Sequence, residues 1–170
     1  AHQKLLQAEV ASPRLDAEVL MAENLNISRA ELMTYPRRLL TCVEAGNFLS
    51  KIERRVLREP VSHIIGVKEF WSLEFSVNEK VLTPRPETEI LVDQCLKALG
   101  KNSSPVRILD LGSGSGILAI VLAKEFPHSK ITAIEKSTLE VARKNALRHF
   151  VDDQVCFISA DLMKTDWQGP

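Results

Sequence analysis

The sequence predicts an α/β protein, an open parallel sheet with helices packed on it, preceded by a small all-α bundle and a β-hairpin. Two observations carry this. Residues 106–120 form an apolar stretch ending in Asp110 and three alternate glycines, then continue with apolar residues at helical spacing, which reads strand, tight turn, helix. Further on, Lys130-Ile131-Thr132-Ala133-Ile134-Glu135 is a second short strand that also ends in an acid, whereas the first sixty residues show helix starts and no strand.

The bulk numbers narrow the function. At 170 residues, 45% hydrophobic and 26% charged, the chain has ordinary globular composition for one domain or two small ones. Lys plus Arg equal Asp plus Glu at 22 each, so no global positive field gathers nucleic acid. Cys42, Cys95 and Cys156 lack CxxC spacing, which argues against a disulfide framework or zinc site and predicts core thiols in a reducing compartment. His2, His63, His128 and His149 are equally scattered, and no metal site is predicted. Neither a membrane-length run nor a signal-peptide pattern is present, so a cytoplasmic location is expected, with an organellar address ahead of Ala1 left open. Only about three strands are legible where such a sheet usually has about five to seven, so the chain is expected to be part of a longer enzyme.

Taken in order, Ser12 and Pro13 open a helix to about Asn24 with Leu15, Val19, Ala22 and Leu25 on its apolar side. Ser28 caps a short second helix with Glu31 closing a capping box, and Thr41 with Glu44 opens a third carrying Ala45, Phe48, Leu49, Ile52 and Val56 inward. Pro60 ends it. Residues 1–60 are thus a helical bundle, and Lys51, Glu53, Arg54, Arg55, Arg58 and Glu59 are either a solvated helix face or a docking surface for a macromolecular substrate. Residues 61–82 read as a linker whose β-forming residues from Val67 to Val77 make a hairpin turning near Ser72, with Phe70 and Trp71 as packing residues. Residues 83–170 hold the sheet domain. Thr83-Pro84-Arg85-Pro86-Glu87-Thr88-Glu89 leads into a helix through Leu99, with Pro86 in its first turn and the two acids at its positive end. The helix after the glycine loop is expected to turn Ile117, Ile120, Val121 and the stem of Lys124 to the sheet, and the next helix Leu139, Ala142, Ala146, Leu147 and Phe150. A third strand follows at Gln154–Ile158, then Ser159-Ala160-Asp161-Leu162.

The glycine loop, Asp110-Leu111-Gly112-Ser113-Gly114-Ser115-Gly116, lets the backbone turn sharply and approach a ligand with no Cβ in the way, while the first N–H groups of the helix offer donors. A phosphate loop needs GxxxxGK[ST] and a dinucleotide loop GxGxxG; neither is present, so the ligand is not expected to be a pyrophosphate. An acid at the tip of the second strand, Glu135, is placed to accept hydrogen bonds from ribose hydroxyls.

The order Asp110-Leu-Gly-x-Gly-x-Gly followed by Glu135 resembles the S-adenosyl-L-methionine site of the Rossmann-like methyltransferases. With Glu59-Pro60-Val61-Ser62-His63-Ile64-Ile65-Gly66, Glu69-Phe70-Trp71-Ser72 and Thr83-Pro84-Arg85-Pro86-Glu87-Thr88-Glu89 it is very similar to the release-factor glutamine methyltransferases, the HemK/PrmC family, over essentially the whole chain. The resemblance implies that the loop lies against the methionine part of the cofactor, Asp110 serves its amino group, Glu135 takes the ribose, Asp161 accepts from the adenine amino group and Leu162 flanks the ring. It sets Arg85, Pro86 and Glu87 at the active-site mouth. It implies methyl transfer to the side-chain amide nitrogen of a glutamine in a peptide chain release factor. The family's Asn-Pro-Pro-Tyr loop is not in these residues, which contain no Asn-Pro pair, so no catalytic residue is named and the 170 residues alone are expected to be inactive. The alternatives are a nucleic-acid adenine amino-methyltransferase, a nicotinamide-dependent oxidoreductase, and a fragment that acts only as a binding module; no membrane partner is expected. An unfinished parallel sheet exposes an edge, so self-association is a further expectation.

Overall fold

The structure, a computed structural model, describes residues 1–100, 105–137 and 139–164. The chain divides into two compact units, Ala1–Ile65 and Gly66–Pro170. No helix among the described residues is long and apolar enough to cross a membrane.

The first unit contains helices α1 (His2–Gln7), α2 (Pro13–Asn24), α3 (Arg29–Thr34), α4 (Cys42–Val56) and α5 (Val61–Ile65) around a core of Leu5, Val10, Leu20, Phe48, Ile52 and Ile64. Thr41 and Glu44 form a full capping box: the Thr41 hydroxyl accepts from the Glu44 N–H and the Glu44 carboxylate from the Thr41 N–H. Ser28 accepts from the Glu31 N–H, whereas Ser12 caps α2 by position only, its side chain making no cap bond. The α2 face differs from the periodicity reading. Leu15 is exposed and Asp16 is buried, because Asp16 Oδ2 accepts from Arg55 Nε at 2.7 Å across the bundle. Leu49 likewise faces out. The charges of α4 pair within the bundle: Lys51 with Glu23, Glu53 with Lys4, Arg54 with Glu59, Arg55 with Asp16.

The expected linker 61–82 divides between the units: α5 belongs to the first, and the hairpin of β1 (Val67–Phe70) and β2 (Leu73–Ser76) to the second. Its strands pair Phe70 with Leu73, so Trp71 and Ser72 form the turn, both at positive φ as a tight hairpin of right-handed twist requires. Phe70 is buried edge-on to Phe75, and Trp71 donates its backbone N–H to Glu89 Oε1 and its indole N–H to Glu125 Oε1.

After a short 3-10 turn at Pro86–Thr88 come α6 (Glu89–Leu99), β3 (Arg107–Leu111), α7 (Ile117–Glu125), β4 (Lys130–Glu135), α8 (Glu140–Arg148) and β5 (Val155–Ser159). The three later strands form a parallel sheet in the order β3-β4-β5. Asp110 pairs with Ala133 and Glu135 with Ser159, which brings the carboxyl ends of the strands to one edge. Helix α7 is buried on almost every side, through Ile117, Ala119, Ile120, Val121, Leu122 and Ala123, while Lys124 stays exposed. On α8 the inward residues are Val141, Ala142, Asn145 and Ala146; Leu147 and Phe150, expected in the core, are exposed. Phe150 sits at φ +57, where the chain has already left the helix and turned its side chain away from that face. Cys95 is partly buried and packs against the core as expected, whereas Cys42 and Cys156 are exposed and are not the core thiols that their composition suggested.

Candidate functional site

The glycine loop is held by the strand beside it. Gly112 and Ser113 both donate to the Ile134 carbonyl, at 2.8 and 3.0 Å, and Gly116 donates to Ser113 at 2.8 Å, closing the turn that starts α7. Three of its residues, Gly112, Gly114 and Gly116, have positive φ. They differ in what surrounds them. A Cβ on Gly116 would stand 3.1 Å from the Ala142 Cβ and 3.2 Å from Ile120 Cδ1, so this glycine allows α7 and α8 to approach. A Cβ on Gly112 or Gly114 would meet nothing within 4 Å, so those two leave space open.

That space is a cleft of about 450 Å³ lined by Leu82, Pro84, Arg85 and Thr88 on one segment and Asp110, Gly112, Ser113, Gly114, Ser115, Ile117 and Leu118 on another. The structure thus brings Arg85 to the glycine loop. Pro86 and Glu87, exposed in the 3-10 turn, are not among the lining residues. Thr88 and Leu118 line it without any residue-type signal that the sequence could have offered.

Two polar atoms in the loop's neighbourhood are buried and without a partner, Asp110 Oδ2 and Ser113 Oγ. Burial pushes the Asp110 carboxyl above its ordinary range; the Ala119 N–H, in the first turn of α7, pulls it down, and the charge of Glu135 adds to the rise. Glu135 goes the other way. Burial would raise it, but donors from the backbone of Ser137, Gly114 and Lys136 and the Ser137 hydroxyl outweigh that and hold its carboxyl below the ordinary range. Glu135 Oε2 accepts from the Gly114 N–H at 2.8 Å, and Oε1 from the Ser137 N–H and hydroxyl at 2.9 and 3.0 Å. A carboxylate offers roughly four acceptor positions, and the Ser137 hydroxyl is a rotor that can yield the one it occupies.

Asp161 lies two residues beyond β5, with Oδ2 on Lys136 at 2.9 Å and Oδ1 accepting from the Met163 N–H at 3.1 Å. The Lys136 ammonium and the Met163 N–H hold its carboxyl below the usual range. Leu162 follows, partly buried. Glu135, Asp161 and Leu162 therefore share the sheet's carboxyl edge without lining the cleft.

Residues 1–66 match the PrmC N-terminal domain and residues 87–168 the methyltransferase small domain. The release factor glutamine methyltransferase of Koribacter versatilis is 44% identical over 158 residues, 92% of this chain and 55% of that protein. That of Coxiella burnetii is 45% identical over 140 residues, 81% of this chain and 50% of that protein. Among solved structures, an RNA methyltransferase from Salinibacter ruber in complex with S-adenosyl-L-homocysteine aligns at 34% identity over 51% of this chain and 54% of that one, with a TM-score of 0.40. The parallel sheet, its glycine loop and the domain match make the second unit a Rossmann-like methyltransferase domain. With the matching N-terminal domain, the chain carries both of these domains and is similar over most of its length to proteins named release factor glutamine methyltransferase. It spans about half the length of the curated relatives it matches.

Proposed function

We propose that this chain carries the cofactor-binding part of an S-adenosyl-L-methionine-dependent enzyme that methylates the side-chain amide nitrogen of a glutamine in a peptide chain release factor. The observation that carries the reading is the loop itself: open space over Gly112 and Gly114, an unpartnered Asp110 oxygen beside it, and Glu135 charged at the next strand tip. Asp110 and Arg85 line one cleft with opposite formal charges, which is what the zwitterionic amino-acid end of the cofactor requires. Glu135 takes the ribose, Asp161 and Leu162 the adenine, and Pro86 and Glu87 shape the mouth beside Arg85. When bound, the sulfonium supplies an electrophilic methyl group.

An amide nitrogen is a poor nucleophile because its lone pair is delocalised into the carbonyl. Transfer therefore depends on orientation and on acceptors for the amide N–H groups rather than on a strong base. No Asn-Pro pair occurs among the 170 residues, so we assign them cofactor binding and no turnover of their own. Calorimetry with S-adenosyl-L-methionine and, in parallel, NADH tests the first assignment; heat with NADH alone overturns it. Incubation with a release factor and methyl-labelled cofactor tests the second: a chain extended to the length of its relatives labels the glutamine and the 170 residues do not. Labelling of nucleic acid instead would overturn the substrate.

A further inference from the structure

Helix α8 meets the hairpin through side chains spaced to match a strand edge. His149 Nε2 contacts the Glu74 carbonyl at 2.8 Å. One helical turn earlier, Asn145 holds both backbone groups of Ser76: its Oδ1 accepts from the Ser76 N–H at 2.7 Å and its Nδ2 donates to the Ser76 carbonyl at 3.0 Å. Residues two apart on a strand are about 6.6 Å apart and residues four apart on a helix about 6 Å, so the two periods coincide. The Asn145 side chain thus does for Ser76 what a third strand would do. It is fully buried, and its remaining Nδ2 hydrogen goes to the Ser115 carbonyl, inside the glycine loop, at 2.9 Å.

We propose that Asn145 is a positioning residue for the cofactor loop: through one amide it ties the Ser115–Gly116 peptide to β2, holds the Gly116 N–H on the Ser113 carbonyl, and so keeps closed the turn from which the Gly114 N–H reaches Glu135. This rests on the cofactor reading above. Removing the amide frees the Ser115–Gly116 peptide to rotate, which loosens the 2.8 Å bond from Gly116 to Ser113 that closes the turn, and with it the 2.8 Å bond from Gly114 to Glu135. His149 supports the same hairpin edge without touching the loop, so it separates loop positioning from general hairpin packing.

The test compares Asn145→Ala with His149→Ala. Amide exchange at Gly114 and Gly116 is expected to accelerate about tenfold or more in Asn145→Ala and to stay within about twofold in His149→Ala. The dissociation constant for S-adenosyl-L-methionine is expected to rise about tenfold in the first variant only, the loss of one buried amide's bonds. Unchanged loop exchange in Asn145→Ala, or equal acceleration in both variants, overturns the proposal. Should Asn145→Ala not fold, Asn145→Asp carries the same comparison, since it keeps the volume and the acceptor for Ser76 and replaces both N–H donors. If the unaltered chain binds no S-adenosyl-L-methionine, the function reading fails while loop exchange still decides the role of Asn145.

Discussion

In the helical unit Asp16, Glu18, Glu23, Glu44, Glu53 and Glu59 each face a lysine or arginine of the same unit, whereas at the glycine loop Asp110 Oδ2 and Ser113 Oγ are buried with no partner. Every buried, unpartnered side-chain oxygen among the described residues belongs to the second unit. Ser129 and Gln154, the other two, precede β4 and β5 at the opposite edge of the sheet. The contrast teaches where each region's polar atoms are used. In the bundle they lock helices together; at the loop Asp110 Oδ2 and Ser113 Oγ stay without a protein partner.

The sharpest way to test that division is inside the loop. Gly116→Ala adds left-handed strain of about 1–2 kcal/mol to crowding against Ala142 and Ile120 of about another 1–3. Gly114→Ala adds the strain alone, because its Cβ meets open space. Urea titration should therefore show Gly116→Ala about 2 kcal/mol less stable than Gly114→Ala, while calorimetry shows Gly114→Ala losing cofactor affinity. Equal stabilities would mean that both glycines serve the turn only.

In the bundle the largest single loss is expected for Asp16→Ala. It leaves the largely buried Arg55 guanidinium without its carboxylate, at a cost of about 3 kcal/mol, and a double-mutant cycle with Arg55→Ala should recover much of it. A loss below about 1 kcal/mol would reclassify the pair as an ordinary surface contact. Thr41→Ala removes one side of the capping box and should cost about 1 kcal/mol in the same titration.

How much of this could be read from the sequence follows the same line. Strand β3, the loop, β4 and Glu135 were legible because glycines, β-branched residues and strand-tip acids have local meanings. The inward face of α2 was not, because Asp16 is buried only by virtue of Arg55, 39 residues away, and a periodicity argument scores an acid as polar and Leu15 as core. The short α1 and α5 carried no strong apolar period in six and five residues. Asn145 was silent for a like reason: its partners Ser76 and Ser115 lie 69 and 30 residues off. Arg85 stood out through the two prolines around it and through the family resemblance, and the structure adds its place in the cleft with Asp110.

The smallest effect on stability should have the opposite sign to the rest. The folded Asp110 carboxyl lies above its ordinary value of 3.8, chiefly through burial, so between that value and its folded one the native chain holds more proton than the unfolded chain. Stability contributed by this group therefore falls as pH rises through that window and stays lost above it. Asp110→Asn removes the charge while keeping an acceptor for the Ala119 N–H, and should stabilise the chain at neutral pH by about 1 kcal/mol, with the gain vanishing below the ordinary value. Glu135 supplies the opposing slope: its carboxyl is depressed despite burial, so its contribution is complete above the ordinary 4.5 and is lost as pH falls through the folded value. The stabilised Asp110→Asn variant should bind S-adenosyl-L-methionine about tenfold or more weakly, since a charge-assisted contact to the ammonium becomes a neutral one. A variant that gained stability and kept its affinity would remove Asp110 from the site and leave its buried, unpartnered oxygen without a ligand role.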